Sequence, residues 1–256
     1  MSLKVNNLSF GYTKEKILEN VSFEIKPGDF VCVLGKNGVG KSTLFKLLLG
    51  FLHKSEGEIL IDEKPLESFN RKELARQVAY IPQYSTSAFT FSVFDTVLMG
   101  TTCRIDTLGS PKDKEKQIAY DALKKFNIEH LAHKNSSLIS GGERQLVVLA
   151  RAIAQGSKIL ILDEPTANLD YGNQFRVMQT ISKLKEQGYS IILSTHNPEQ
   201  AMWFSDKIMF LDGKKVLAYG NTQEIMSSKL LKQIYSIDID LIEKDGRMIC
   251  FPKVNI

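Results

Sequence analysis

Cysteine is scarce. Cys32, Cys103 and Cys250 are the three in 256 residues, and their separation excludes both a C-x-x-C pair and a disulfide framework, so reduced thiols in a cytosolic setting are expected. No apolar run approaches the roughly 18 residues that a membrane-spanning helix needs, and the N terminus carries no signal-peptide pattern. Any membrane role is therefore expected to come through a partner. Charge of one sign is also lacking. The 33 basic residues exceed the 29 acidic ones by a net charge of only +4 and are dispersed along the chain, which argues against a nucleic-acid partner. Internal repeats and low-complexity segments are absent. A hydrophobic content of 43% and a charged content of 24% are those of an ordinary globular chain, and the length leaves room for one to two domains with a substantial core.

What is present begins with Gly35-Lys36-Asn37-Gly38-Val39-Gly40-Lys41-Ser42, which fits G-x-x-x-x-G-K-[ST] and follows the apolar run Phe30-Val31-Cys32-Val33-Leu34. Glycines let such a loop turn so that successive backbone N–H groups point at phosphate oxygens. Lys41 is expected to reach the β- and γ-phosphates and Ser42 to hold Mg²⁺. Thr43 continues into a helix whose N-terminal dipole favours the anion, with Gly50 as its stop. The pattern by itself implies a bound nucleotide phosphate and no particular reaction.

A second helix start narrows this. In Ile139-Ser140-Gly141-Gly142-Glu143, Ser140 is a suitable N-cap for the apolar segment from Gln145 to Ala154, and the two glycines are expected to leave that helix end open as an anion-binding surface. One nucleotide does not need two helix starts from one chain unless the second faces another molecule's nucleotide. The unalternating run Ile159-Leu160-Ile161-Leu162 then predicts a strand buried on both faces. Asp163 and Glu164 emerge at its carboxyl end, where open α/β sheets place ligands. Asp163 is the candidate Mg²⁺ partner and Glu164 the candidate general base. The turn from Pro165 to Asp170 ends in a carboxylate suited to contact across a dimer seam.

With these motifs in this order over nearly its whole length, the chain resembles an ATP-binding-cassette ATPase of the transporter type. The resemblance implies an α/β fold, with a P-loop NTPase (RecA-like) core, an antiparallel β subdomain and an inserted α-helical signature subdomain. It implies that Tyr12, in Phe10-Gly11-Tyr12, stacks on adenine. Gln83, in Tyr80-Ile81-Pro82-Gln83, is implied to contact Mg²⁺ and the attacking water and to link the site to a membrane partner. Ser140, Gly141 and Gly142 are implied to grip the γ-phosphate bound by the opposite subunit, and His196, in Ser194-Thr195-His196, to sense it. Ile139 stands where the family usually has leucine, a swap that conserves volume and costs under about 1.5 kcal/mol if buried.

The implied assembly is a homodimer closed over ATP and Mg²⁺, attached to integral membrane permease subunits at the cytoplasmic face of the membrane and served indirectly by an extracytoplasmic substrate-binding protein. Residues 92–100 and the ending Gln233-Ile234-Tyr235-Ser236-Ile237 are similar to the subfamily that imports iron–siderophores, haem and vitamin B12, with a molybdate or tungstate branch. Thr101-Thr102-Cys103-Arg104 departs from the arginine and aromatic-proline-histidine run of many iron–siderophore members. Uptake of a metal chelate is thus the leading expectation. Molybdate or tungstate uptake, a non-transport ATPase of the iron–sulfur assembly type, and a poorly hydrolysing switch are the alternatives, the last disfavoured by Glu164 and His196 together.

Along the chain, residues 1–84 and 151–220 are expected to form the catalytic core with its N-terminal antiparallel strands, such as Ser22-Phe23-Glu24-Ile25-Lys26 closed by Pro27-Gly28-Asp29. Residues 85–150 show helical periodicity and form the expected signature subdomain. Residues 221–256 are expected to make a tail: a helix, then a hairpin of strands Ile237–Ile242 and Met248–Phe251 about Lys244-Asp245-Gly246, a sequence that favours primed turns. The expected role of this tail is to cover an edge of the core.

Overall fold

The computed structural model describes residues 1–83, 91–106 and 109–253. Contacts divide it into two compact units, Met1–Glu67 with Lys185–Ile256, and Ser68–Leu184.

The first unit opens with β1 (Leu3–Phe10) and β2 (Leu18–Ile25), an antiparallel pair in which β2 alternates buried and exposed side chains along most of its length. β3 (Phe30–Leu34) has no such alternation, and all five side chains are fully buried. Helix α1 (Lys41–Leu48) follows the glycine loop, and Gly50 closes it at φ 67°. β4 (Glu56–Ile61) and β5 (Lys64–Pro65) complete a four-stranded antiparallel sheet in the order β2-β1-β4-β5.

In the second unit, α2 (Arg71–Gln77) starts from an Asn70–Glu73 capping box and β6 (Val78–Ile81) continues from it. Then come α3 (Val93–Leu98), a 3₁₀ turn over Met99–Arg104, α4 (Asp113–Lys125) and α5 (Gly141–Gln155). These helices begin within 85–150, of which residues 85–90, 107 and 108 lie outside the described residues. Gly100 packs tightly on α5: a Cβ there would lie 2.2 Å from the carbonyl oxygen of Arg151. The departure at 101–104 is occupied by packing. Thr101 is fully buried, Cys103 is buried, and the Arg76 guanidinium donates through Nε and Nη2 to the Cys103 carbonyl. β7 (Ile159–Asp163) is buried throughout and runs parallel to β6, with Ile81 paired to Leu162. Helix α6 (Tyr171–Glu186) leads back to the first unit.

There β8 (Ser190–Thr195) runs parallel to β3, α7 (Pro198–Phe204) follows, and β9 (Lys207–Asp212) lies parallel to the other edge of β3. β10 (Lys215–Asn221) folds back antiparallel on β9. The tail holds α8 (Thr222–Ile225), α9 (Ser228–Tyr235), β11 (Ile239–Lys244) and β12 (Arg247–Pro252). The expected hairpin forms. Asp245 and Gly246 take φ 51° and 73°, the pair of positive values a type I′ turn requires. Ile237, which the sequence pattern places in a strand, falls outside β11, because α9 ends at Ser236 in the left-handed region, at φ 61°, and the chain must turn before it can extend. Among the described residues no helix is long and apolar enough to cross a membrane.

Candidate functional site

The parallel register of β3 and β8 sets the candidate site residues of the first unit. Leu34 pairs with Thr195, so Gly35 and His196 leave neighbouring strands at the same level. The loop that begins at Gly35 is held closed by its own lysine: Lys41, only 6% exposed, donates from Nζ to the carbonyl oxygens of Gly35 at 2.7 Å and Lys36 at 3.2 Å. Gly38 and Gly40 take φ 80° and 109°, conformations that a side chain would strain. Asn37, Gly38 and Ser42 are exposed, and Val39 and Thr43 are partly so.

The helix starts differ in a telling way. Side chains of Asn70, Ser92, Ser140, Asn197 and Ser227 cap α2, α3, α5, α7 and α9. Gly40, the N-cap of α1, provides no side-chain acceptor. A helix start without a side-chain cap, beside a buried ammonium, fits a phosphate. Tyr12 is 56% exposed, and its ring stands nearly perpendicular to that of Phe10, 5.0 Å between ring centres. His196 is exposed, and Asn197 beside it starts α7 by accepting from the N–H groups of Glu199 and Gln200.

In the second unit, the register of β6 and β7 performs the equivalent placement. Gln83 and Glu164 each lie two residues beyond the paired Ile81 and Leu162, and Gln83 Nε2 donates to Glu164 Oε2 at 3.2 Å. Asp163, buried at 6% exposure, accepts from the Tyr80 hydroxyl at 3.4 Å. Burial first, and then the Asp163 charge, push the Tyr80 phenol up to about 12, so it stays a donor. Glu164 holds φ 45°, a left-handed conformation uncommon for a residue of its size.

Ser140 caps α5 as its sequence predicts, and does so reciprocally. Glu143 N donates to Ser140 Oγ at 3.3 Å, while Ser140 N and Oγ both donate to Glu143 Oε2 at 2.8 Å. Those bonds, Ser140's side chain first, hold the Glu143 carboxyl below the usual range. The glycines after it are not alike. Gly141 is exposed, but Gly142 is buried under Asn173, whose Oδ1 would lie 2.8 Å from an added Cβ. The expectation that both glycines leave the helix end uncovered therefore holds for Gly141 and fails for Gly142. Asn173 is itself fixed by Asp170, donating from its backbone N at 2.9 Å and from Nδ2 at 2.6 Å. Sequence reading singled out Asp170 and missed Asn173, although the Asp-x-x-Asn spacing at a helix start is a capping signal. Ile139, the departure from leucine, is buried.

Each unit offers hard oxygen donors of the kind that Mg²⁺ takes: the Ser42 hydroxyl in the first, and the Gln83 amide and the Asp163 carboxylate in the second. Among the described residues no group of three or more His, Cys, Asp or Glu side chains is placed to hold a metal.

Comparison with known proteins agrees with this chemistry. The ABC transporter family profile matches residues 18–167. An ABC transporter ATP-binding protein of Haemophilus influenzae is 39% identical, over 95% of this chain and 93% of that protein. The molybdate import ATP-binding protein MolC of the same organism is 37% identical over 92% and 88%. An iron chelatin transport ATP-binding protein of Helicobacter pylori is 35% identical over 98% and 99%. Among solved structures, a metal-chelate type ABC transporter in an inward-facing conformation superposes with a TM-score of 0.88 at 32% identity, covering 99% of this chain and 97% of that one. A dimeric bacterial ABC transporter cassette gives 0.73 at 26% identity, over 86% and 98%. With its phosphate loop, its capped signature helix and relatives matched end to end, the chain belongs to the ATP-binding, ATP-hydrolysing subunits of ABC transporters.

Proposed function

We propose that this chain energises uptake of a metal chelate, such as an iron–siderophore, haem or cobalamin, as a peripheral subunit on the cytoplasmic face of the membrane. Two copies close over ATP and Mg²⁺ and act on integral permease subunits fed by an extracytoplasmic binding protein. The observation that carries this reading is the likeness to a metal-chelate transporter along 99% of the chain, tail included. A second reading, molybdate uptake, is favoured by the 37% identity to MolC. The importer readings fit better than an iron–sulfur assembly role, because the named relatives are import and transport proteins.

In the proposed cycle the loop Gly35–Ser42 cradles the phosphates, and Lys41 neutralises charge as the γ-phosphoryl group departs, to which a bound Mg²⁺ would add its own charge. Thr43 extends the cradle into the first turn of α1, and Tyr12 stacks on adenine. Ser42, Asp163 and Gln83 hold Mg²⁺ directly or through water. Glu164 takes the proton of the attacking water, held by Gln83, and His196 senses the γ-phosphate. Ser140, Gly141 and Gly142 of one copy face the nucleotide of the other, and Asp170 lies at the seam. ATP thereby holds the dimer closed and its hydrolysis releases it. Residues 85–150 act as the signature subdomain, 1–84 with 151–220 as the core, and 221–256 as the tail.

Co-purification from detergent-solubilised membranes tests the reading. It is supported by recovery of an integral permease and by a cognate binding protein that takes up a metal chelate. Recovery with no membrane-spanning partner overturns it, and a binding protein selective for molybdate decides for the second reading.

A further inference from the structure

The tail is bonded to the catalytic loops of its own unit. Helix α9 buries Leu231 and Ile234 completely and ends with two consecutive residues whose side chains go to different loops. The Tyr235 hydroxyl donates to the backbone carbonyl of His196 at 2.8 Å, across 39 residues of sequence. Ser236 Oγ accepts from Lys36 Nζ at 2.8 Å, across 200 residues. Lys36 is the loop residue whose carbonyl also holds the Lys41 ammonium. Ser236 can face Lys36 because it takes the left-handed conformation that ends α9.

The hairpin adds a second attachment to the same segment. Cys250 and Met248 lie two residues apart on the outer edge of β12, where N–H and C=O groups point away from β11. Glu199 and Trp203 lie one turn apart on α7, the helix that starts just after His196. Cys250 N donates to Glu199 Oε1 at 3.1 Å, and Trp203 Nε1 donates to the Met248 carbonyl at 2.7 Å. An exposed strand edge needs a cover, and a single apolar helix face would supply one. Here the cover is hydrogen-bonded in register. Burial, with Cys32 and Cys250 nearby, pushes the Tyr235 phenol well above its ordinary range, so its hydroxyl remains a donor at any working pH.

We propose that Tyr235 is a positioning residue for ATP hydrolysis: through the His196 carbonyl it sets where the γ-phosphate sensor stands, with Ser236 steadying the phosphate loop through Lys36 and the β12–α7 bonds fixing the base of the same segment. The inference rests on the role given to His196 above. It assigns the tail a catalytic task in place of edge cover alone.

A double-mutant cycle in the full-length chain tests it. Tyr235→Phe keeps the ring and removes the donor. It should lower kcat about fivefold and leave the KM for ATP within about twofold, as expected for loss of one hydrogen bond that shapes the transition state and not nucleotide binding. In a His196→Ala background, the same change should alter the residual kcat by less than about 1.5-fold, because the group it acts through is gone. Wild-type kcat in Tyr235→Phe, or an equal fall in both backgrounds, overturns the tail's role while leaving that of His196 standing. Unchanged turnover in His196→Ala alone overturns both. Should Tyr235→Phe fail to fold, Glu199→Ala, which removes the acceptor for Cys250 N, carries the same expectation: lower kcat with KM retained, and no further loss once His196 is absent.

Discussion

Gln83 donates to Glu164 over 3.2 Å from a strand end in parallel register with the strand that presents the carboxylate. An amide that donates to a carboxylate oxygen orients the carboxyl group. Glu164 sits at φ 45°, so the backbone accepts an uncommon conformation to keep it there. Glu164→Gln conserves shape and retains an oxygen that can accept from Gln83, so folding should be unaffected. We expect ATP binding to persist, turnover to fall about 100-fold or more, and the nucleotide-loaded variant to elute as a dimer. Phosphate release and size-exclusion chromatography measure both. Near-normal hydrolysis would remove Glu164 from the reaction.

Lys41 has two duties, and its substitution should separate them. Its ammonium closes the loop on the Gly35 and Lys36 carbonyls, and in the proposed cycle it also supplies charge toward ATP. Lys41→Ala leaves those carbonyls without that donor at a cost of about 1–2 kcal/mol in stability, and it weakens ATP binding roughly tenfold or more. Calorimetric titration reads the second effect and urea unfolding the first. Unaltered ATP affinity would mean that the uncapped start of α1 binds phosphate without help.

Much of this was legible because it is local. Asp245 and Gly246 prescribe their own turn, Ser140 its own cap, and the unbroken apolar runs of β3, β7 and β8 their own burial. The motif loops were readable because strand ends present them, and strand ends follow from hydrophobic runs. What escaped was long-range pairing. Nothing in the neighbourhood of Gly142 announces Asn173, and nothing near His196 announces Tyr235, since each contact depends on how helices pack. The 3₁₀ turn over Met99–Arg104 also escaped, for the pattern there reads as more helix, and the tight approach of Gly100 to α5 is a tertiary fact.

That approach yields a prediction about stability. A Cβ at Gly100 would lie 2.2 Å from the Arg151 carbonyl oxygen and 3.3 Å from the Ala154 Cβ, contacts that backbone cannot relieve without separating the elements. Gly100→Ala should destabilise the protein by about 2–3 kcal/mol, read as a lower urea midpoint. Gly213→Ala is the control. It has open space but φ 52°, and only the smaller left-handed penalty of about 1–2 kcal/mol applies. A Gly100→Ala loss no larger than that of Gly213→Ala would show that α5 moves aside.

Ser140 and Glu143 link stability, pH and dimer closure. The Glu143 carboxyl is held below its ordinary range, by the Ser140 side chain first and its backbone N–H second. For a carboxylate with a depressed folded-state value, the stabilisation is fully present above the unfolded value and disappears as pH falls through the folded one. Glu143 is partly exposed, so this pH-linked part is small. Ser140→Ala should return the Glu143 titration toward the ordinary glutamate range and cost about 1 kcal/mol of helix capping, measurable by carboxyl NMR and by unfolding at neutral pH. The same hydroxyl now engages Glu143 and would have to turn from it to meet a phosphate on the opposite copy. Ser140→Ala combined with Glu164→Gln should therefore bind ATP as one copy does, yet form the closed dimer less readily than Glu164→Gln alone. Equal dimerisation of the two variants would place the phosphate contact on the Gly141 backbone rather than on the serine.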